Sequence, residues 1–366
     1  MKYSVSELLK KIEEIIYPSW QEHYDNAGFQ IGNPADELTG VVVSLDVTFD
    51  VLNFAVQEGA NLIISHHPIF FHPLKNILLD NEKGKLVAYC IEKKLNIYSI
   101  HTNLDKSTLG INYSIAEELG LKNIETLAPE KGYLKKLVTF CPHEFADKVR
   151  DAIFQAGAGV IGNYDSCSYN VEGYGTFKGN EQTNPFVGEK GKLHKEPETR
   201  IETIFPAEKE AKVIEALLTS HPYEEVAYDI YSLDNIWPQV GLGAVGYLFQ
   251  PMPLDVFLRE VKRIFDVPFV KYSKGFQTEI KRVAVCGGTG ISLLSRAVAS
   301  GADVFITSDI KYHDFQQAHG KIHLIDVGHY EMEMLGMKKI YEYIFKLLHN
   351  FAKVKLYRNQ NIVQYC

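Results

Sequence analysis

Strand-length apolar runs separated by helix-length amphipathic stretches constrain this chain most. Val41–Leu45, Leu62–Ser65, Asn96–Ile100, Val283–Cys286, Val304–Thr307 and His323–Val327 read as strands. Phe49–Gln57, Lys85–Lys93, Ser292–Ala299 and Tyr330–Leu348 read as the helices between and after them. Apolar strands alternating with helices imply βαβ units, a mostly parallel sheet and an α/β fold.

The first and last segments read as copies. Gly59-Ala60-Asn61-Leu62-Ile63-Ile64-Ser65 is echoed by Gly301-Ala302-Asp303-Val304-Phe305-Ile306-Thr307. The strands before them, around Val43 and Val285, stand equally far upstream. His101-x-x-x-Asp105 is echoed by His329-x-x-x-Glu333. A pseudo-two-fold arrangement of such halves would bring both carboxylates together.

Between the halves the composition changes and a second echo appears. Leu137–Phe140 followed by a helix Glu144–Ala156 resembles Ile201–Phe205 followed by a helix Lys209–Ser220. A doubled βαβ pattern reads as a ferredoxin-like α+β domain. Gly173–Glu198 is rich in Gly, Asn, Lys and Glu and is expected to form hairpin and loop. The expected division is 1–128 and 237–366 as two halves of one α/β domain, with 129–236 inserted.

Composition excludes several classes. The 366 residues are 46% hydrophobic and 23% charged, which suits a globular protein with ample core. A net charge of -8 argues against affinity built on phosphate neutralisation, so nucleic acid is not an expected partner. No apolar run is long enough to span a bilayer, and Glu13 and Glu14 interrupt any signal-peptide core. Ser4 and Glu7 instead fit a capping box. Cys90, Cys141, Cys167, Cys286 and Cys366 are scattered and odd in number, which reads as reduced thiols in a cytoplasmic protein.

Chemistry gathers where strands end. Ile63-Ile64-Ser65 runs into His66-His67-Pro68, Tyr98-Ser99-Ile100 into His101 and then Asp105, and Ile325-Asp326-Val327 into Gly328-His329 and then Glu333. Ligands of open α/β sheets collect outside the carboxyl ends of the strands. Four histidines and two carboxylates delivered there suggest a metal centre, with two ions. Adjacent strand residues point to opposite faces, so His66 and His67 would diverge toward different ions. His329 and Glu333, four apart on a helix, share a face. Thr102-Asn103-Leu104 reads as loop, where Asp105 could equally cap the stretch from Ser107. The mixed N and O set without Cys suits catalytic zinc, or iron, manganese or cobalt. Asp105 and Glu333 could bridge ions about 3.5–4 Å apart, lowering the pKa of a bound water toward about 7.

Weaker candidates lie nearby. Gly287-Gly288-Thr289-Gly290 follows a strand and could hold an anion on its amides, or simply form a tight turn. Asp309 and His313 could line the same cavity, His72 reads as a loop residue, and His221–Glu225 would begin a strand of the insert.

Ser65-His66-His67-Pro68, His101-Thr102-Asn103-Leu104-Asp105, Thr307-Ser308-Asp309-Ile310-Lys311-Tyr312-His313 and Gly328-His329-Tyr330-Glu331-Met332-Glu333 resemble the Nif-three-like dinuclear-metal family, known as GTP cyclohydrolase 1 type 2 homologues. Gly162–Cys167 and His221–Asp229 resemble its longer bacterial members, whose inserted domain is similar to PII and CutA proteins. The resemblance implies His66, His67, Asp105, His329 and Glu333 as ligands of two divalent ions, zinc foremost. His101 is implied as ligand, or as neighbouring proton shuttle and general base. It also implies a toroidal homohexamer and a metal-dependent hydrolase acting on a small molecule, by family label the guanine ring of GTP. A non-enzymatic hexameric scaffold that binds metal or regulates is the alternative. One departure is Tyr24 before Asp25-Asn26, where the family often has Trp, which touches only a packing contact.

Overall fold

In the computed structural model, which describes residues 3–364, the chain divides into two compact units. One joins residues 1–129 to 238–366; the other is residues 130–237.

The first unit contains two sheets. In one, β1 (Gly28–Ile31), β2 (Gly40–Ser44), β3 (Leu62–Ser65), β4 (Asn96–Ser99) and β15 (Lys353–Leu356) lie in the order β1-β4-β3-β2-β15. In the other, β5 (Lys122–Lys131), β10 (Ile236–Pro253), β11 (Lys271–Ser273), β12 (Glu279–Val285), β13 (Val304–Thr307) and β14 (His323–Asp326) lie in the order β11-β14-β13-β12-β10-β5. The parallel triplet β2-β3-β4 of one sheet answers β12-β13-β14 of the other. Each triplet is flanked by one short antiparallel strand, β1 beside β4 and β11 beside β14. The halves also trade strands. β15, from the end of the chain, pairs parallel with β2, whereas β5, from the first half, closes the edge of the second sheet.

Strand alternation divides the core. Val41, Val43, Leu62, Ile64 and Tyr98 share one buried cluster with Val283, Val285, Val304, Ile306 and Ile325. The intervening Val42, Ile63 and Ile97 pack on the opposite side with Val51, Leu52 and Leu86 of helices Phe49–Glu58 and Glu82–Glu92. Ala284, Phe305 and Leu324 do the same for the second sheet. Period-two side chains buried on both faces are why these strands are apolar throughout. Each fully buried Leu, Ile or Val contributes about 1.5–3 kcal/mol relative to exposure.

Helix ends follow local chemistry. Ser4 and Glu7 form the expected reciprocal capping box on Val5–Glu13. Thr48 caps Phe49–Glu58, which Gly59 closes in the left-handed region at φ 71°. Thr102–Asp105, whose first three residues read as loop, is one helical turn, because the amides of Leu104 and Asp105 both bond back to the His101 carbonyl.

The second unit is a four-stranded antiparallel sheet in the order β7-β8-β6-β9, from β6 (Leu134–Pro142), β7 (Tyr169–Phe177), β8 (His194–Pro206) and β9 (Tyr228–Leu233). Helices Ala146–Gln155 and Glu210–Ser220 pack Val149, Ile153, Val213 and Leu217 against Leu137 and Ile201. His221–Ala227 is turn rather than the start of a strand. The His221 ring bonds the Phe140 carbonyl and the Tyr223 amide, holding the segment in a turn ahead of β9. Among the described cysteines, Cys90, Cys141, Cys167 and Cys286 are free; Cys366 lies outside the described residues. No helix among the described residues is long and apolar enough to cross a membrane.

Helix His329–Leu348 carries Gly336 where Ile111 of helix Ile111–Glu118 presses against its backbone; a Cβ there would stand 2.7 Å from the Ile111 Cα. Glycine in a helix interior costs about 1 kcal/mol against alanine. Overpacking costs about 1–3 kcal/mol. Gly336→Ala is therefore expected to lower stability by about 1–2 kcal/mol in urea unfolding despite its better helix propensity. An unchanged or higher midpoint would reject this close approach.

Candidate metal centre

All six parallel strands of the two triplets end at one place. Asp46 follows β2, His66 and His67 follow β3, and His101 and Asp105 follow β4. Gly288 follows β12, Asp309 follows β13, and His329 and Glu333 follow β14.

His66 and His67 lie just beyond the pleat. Their consecutive amides bond to the carbonyls of Ser44 and Leu45, which regular strand alternation would not allow, and the Ser65 hydroxyl donates to the His67 carbonyl. The two rings therefore do not diverge as expected. Their centroids are 5.0 Å apart, and both reach Glu333: His66 Nε2 is 3.6 Å from Oε1 and His67 Nε2 is 3.0 Å from Oε2. His329 Nε2 is also 3.0 Å from Oε2, one turn along the same helix. Asp105 Oδ1 stands 3.9 Å from His66 Nε2.

Every imidazole is anchored through Nδ1. His66 Nδ1 donates to the Ile100 carbonyl at 2.9 Å. His67, His101 and His329 donate to Asp46, Asp25 and Asp309, each at 2.7 Å. A carbonyl or carboxylate can only accept, so the proton sits on Nδ1 and Nε2 is left to face the centre. Metal-bound histidines characteristically donate their second N–H to a carboxylate or carbonyl in this way. Asp46 is fixed in turn by Asn359, whose Oδ1 accepts from the Leu45 and Asp46 amides at 3.0 and 3.2 Å.

Two triplets of side chains bring their ligand atoms within 4.8 Å of one another: His66, His67 and His101, and His67, His329 and Glu333. Asp105 belongs to neither triplet and reaches the cluster beside His66. His66 Nε2, Asp105 Oδ1 and Glu333 Oε2 are buried without a hydrogen-bond partner among the described residues. Buried polar atoms normally have one, so three together, facing each other, fit a cation between them. His67 and His329 line a cavity of about 940 Å³ together with Asp309 and Asp46.

The electrostatics agree. Burial opposes ionisation of Glu333, yet the imidazoles of His66, His329 and His67 outweigh it and hold the carboxyl well below its usual range. Burial and the Glu333 charge push Asp105 well above its own. Burial lowers His66. Burial would lower His67 as well, but Asp46 and Glu333 raise it to about 10. The nearby Glu333 carboxylate, with Asp309, raises His329 to about 9. Asp25, despite burial, is lowered to about 2 by hydrogen bonds from His101 and Thr102.

Other expected residues fall differently. Asp309 acts through His329, and Thr289 Oγ1 donates to its Oδ2 at 2.6 Å. His313 is exposed and turned to Gln316, and His72 is an exposed loop residue. The Gly287 amide is spent on Asn112 and that of Gly290 on Thr307 and the Gly288 carbonyl. Gly288 instead clears space at φ +60°, where a Cβ would stand 2.6 Å from Glu333 Oε1. Asp25, Asp46 and Asn359 were not singled out in the sequence. Only the acid before Asn26 and the acid ending the first apolar run could have hinted at the two carboxylates.

Removing an outer carboxylate typically costs 10–100-fold in metal affinity, so Asp46→Asn is expected to weaken divalent-ion binding by about that factor with thermal stability kept; unaltered affinity would reject the anchoring role. In the metal-free protein the raised values of His67 and His329 favour folding fully below about pH 6.5, the unfolded value. That contribution is lost as pH rises through about 9 and about 10. Metal must displace these protons, so titrations at pH 7.5 in buffers of different ionisation enthalpy should show proton release, and affinity should rise with pH. Metal uptake without proton release would contradict this.

Residues 3–361 match the family model Duf34/NIF3 (NGG1p interacting factor 3). A GTP cyclohydrolase 1 type 2 homolog of Halalkalibacterium halodurans is 43% identical over 326 residues, 88% of this chain and 87% of that protein. One of Bacillus subtilis is 38% identical, covering 90% of this chain and 89% of its own. The crystal structure of a Bacillus cereus protein related to NIF3 superposes with a TM-score of 0.89 at 37% identity, over 100% of this chain and 99% of that one. Staphylococcus aureus SA1388 superposes with a TM-score of 0.78 at 29% identity, over 100% and 99%. By matched length, identity and fold together, the chain belongs to the Duf34/NIF3 family.

Proposed function

We propose that this chain binds two divalent metal ions and is a metal-dependent hydrolase. The observation that carries the reading is the anchoring of four imidazoles through Nδ1, with their Nε2 atoms turned to one buried carboxylate cluster. His66, His67, Asp105, His329 and Glu333 would hold the ions. The donor set suits zinc best, with iron, manganese or cobalt as alternatives. Ions so held supply Lewis acidity and acidify a bound water.

The chain's own residues divide the remaining work. His101 presents Nε2 beside His66 and His67, while Asp25 holds its Nδ1. It can accept a proton at Nε2, and the Asp25 carboxylate stabilises the imidazolium that results. The cavity receives the substrate beside His67 and His329. Its walls carry six acidic residues, Asp46, Asp50, Glu82, Asp309, Asp326 and Glu331, against two lysines, Lys83 and Lys271, the latter tied to Asp326 at 2.6 Å. Polyphosphates are usually held by free arginine and lysine. The relatives' name points to GTP. The acidic walls favour a small substrate whose reacting carbon or phosphorus carries less negative charge.

The inserted unit follows β-α-β-β-α-β order with strands β7-β8-β6-β9, the ferredoxin-like arrangement that PII and CutA proteins share. A toroidal homohexamer belongs to the same reading, and the free thiols support a cytoplasmic setting.

Elemental analysis of the purified chain, followed by turnover assays over nucleotides, phosphoesters and cyclic amides, tests this. About two divalent ions per chain are expected, lost in His67→Ala with Glu333→Ala, together with hydrolysis of a substrate in the panel. Metal-replete protein inert throughout, whose assembly survives that double substitution, would favour the non-enzymatic scaffold.

A further inference from the structure

The inserted unit carries an open cavity of about 640 Å³, formed entirely by residues from Phe140 to Ala227. Its lining is aromatic and acidic. Phe177 and Phe186 flank Tyr223, with ring centroids 6.2 and 6.3 Å from it. Glu198 of β8 also lines the cavity and is only 8% exposed.

The Glu198 carboxylate is half satisfied. Tyr223 Oη donates to Oε1 at 2.8 Å. Oε2 rests against Gly175, where any Cβ would overlap it, and no described donor bonds to it. Nor does any described lysine, arginine or histidine form an ion pair with Glu198. Of the two basic side chains on the wall, Arg200 is engaged by Glu202 at 2.8 Å and Lys178 is exposed. His221 touches the Tyr223 ring, but both its nitrogens are spent. Nε2 donates to the Phe140 carbonyl at 2.9 Å, and Nδ1 accepts from the Tyr223 amide at 3.1 Å. The ring is therefore neutral, and burial also holds its pKa below the usual value. Glu172, Glu224 and Glu225 add negative charge to the lining.

A buried carboxylate without a counter-charge is costly and is normally paired. Aromatic faces attract cations, the more so when desolvated. Both features ask for the same missing group, a positive charge with N–H donors on a flat or aliphatic frame.

We propose that this cavity binds a small organic cation, a protonated amine, amidinium or guanidinium, whose N–H groups donate to Glu198 and whose frame lies among Phe177, Phe186 and Tyr223. The site is separate from the metal centre and independent of the reading given for it. It makes the insert a ligand-binding module.

Calorimetric titration of the full chain with benzamidinium and with benzamide, its neutral near-isostere, tests the proposal. Benzamidinium should bind at least about tenfold more tightly, a difference of about 1.4 kcal/mol. Glu198→Gln should abolish the preference. Phe186→Ala, at a position 49% exposed, should weaken binding without unfolding the unit. This second variant keeps the test decisive if Glu198→Gln misfolds. Equal affinity for the two probes, binding of neither, or benzamidinium binding untouched by both substitutions would overturn the proposal.

Discussion

A carboxylate buried among three imidazoles is what the rest of this structure has to make possible. Glu333 is 4% exposed, and its oxygens face His66, His67 and His329. Ionising it there is costly unless positive charge lies close by. The protein meets that cost with geometry. Gly288 gives up its side chain so that Oε1 has room, and Gly336 lets the Glu333 helix settle against Ile111. Asp46, Asp309 and the Ile100 carbonyl hold the three rings around it so that each Nε2 faces inward.

The strands were legible because their physics is local. A segment such as Val304–Thr307, covered on both faces, must be apolar throughout, and a short apolar run between helical stretches has few other readings. The clustered imidazoles and carboxylates were legible for a related reason: they stand where such runs stop. His101 and His329 occupy like positions after β4 and β14, so the duplicated halves offered the same clue twice. What escaped was whatever depends on a side chain meeting a partner far away in sequence. Asp25 lies 76 residues from His101, and Asn359 lies 313 from Asp46. No spacing rule reaches that far. The divergence expected of His66 and His67 failed because it assumed a strand that had already ended. His313 was drawn toward the centre by its neighbour Asp309, but one helical turn carries it to the surface.

Strand exchange between the halves explains why the duplication is not a pair of separable domains. β15 completes the first sheet from the far end of the sequence, and β5 completes the second from the near end. Each sheet therefore lacks an edge strand until the other half is present. Both also contribute to one shared apolar cluster. Contacts of this kind span hundreds of residues, the topology that slows folding by demanding loop closure first.

The reach of Asn359 back to Asp46 has a bearing on biosynthesis. Asp46, whose side chain aims His67, has its backbone held by a residue translated more than three hundred positions later. An emerging polypeptide that already displays His67 would thus carry an Asp46 whose backbone lacks the bonds that later fix it. The cluster of imidazoles and carboxylates is complete only when Glu333 and Asn359 have both left the exit tunnel.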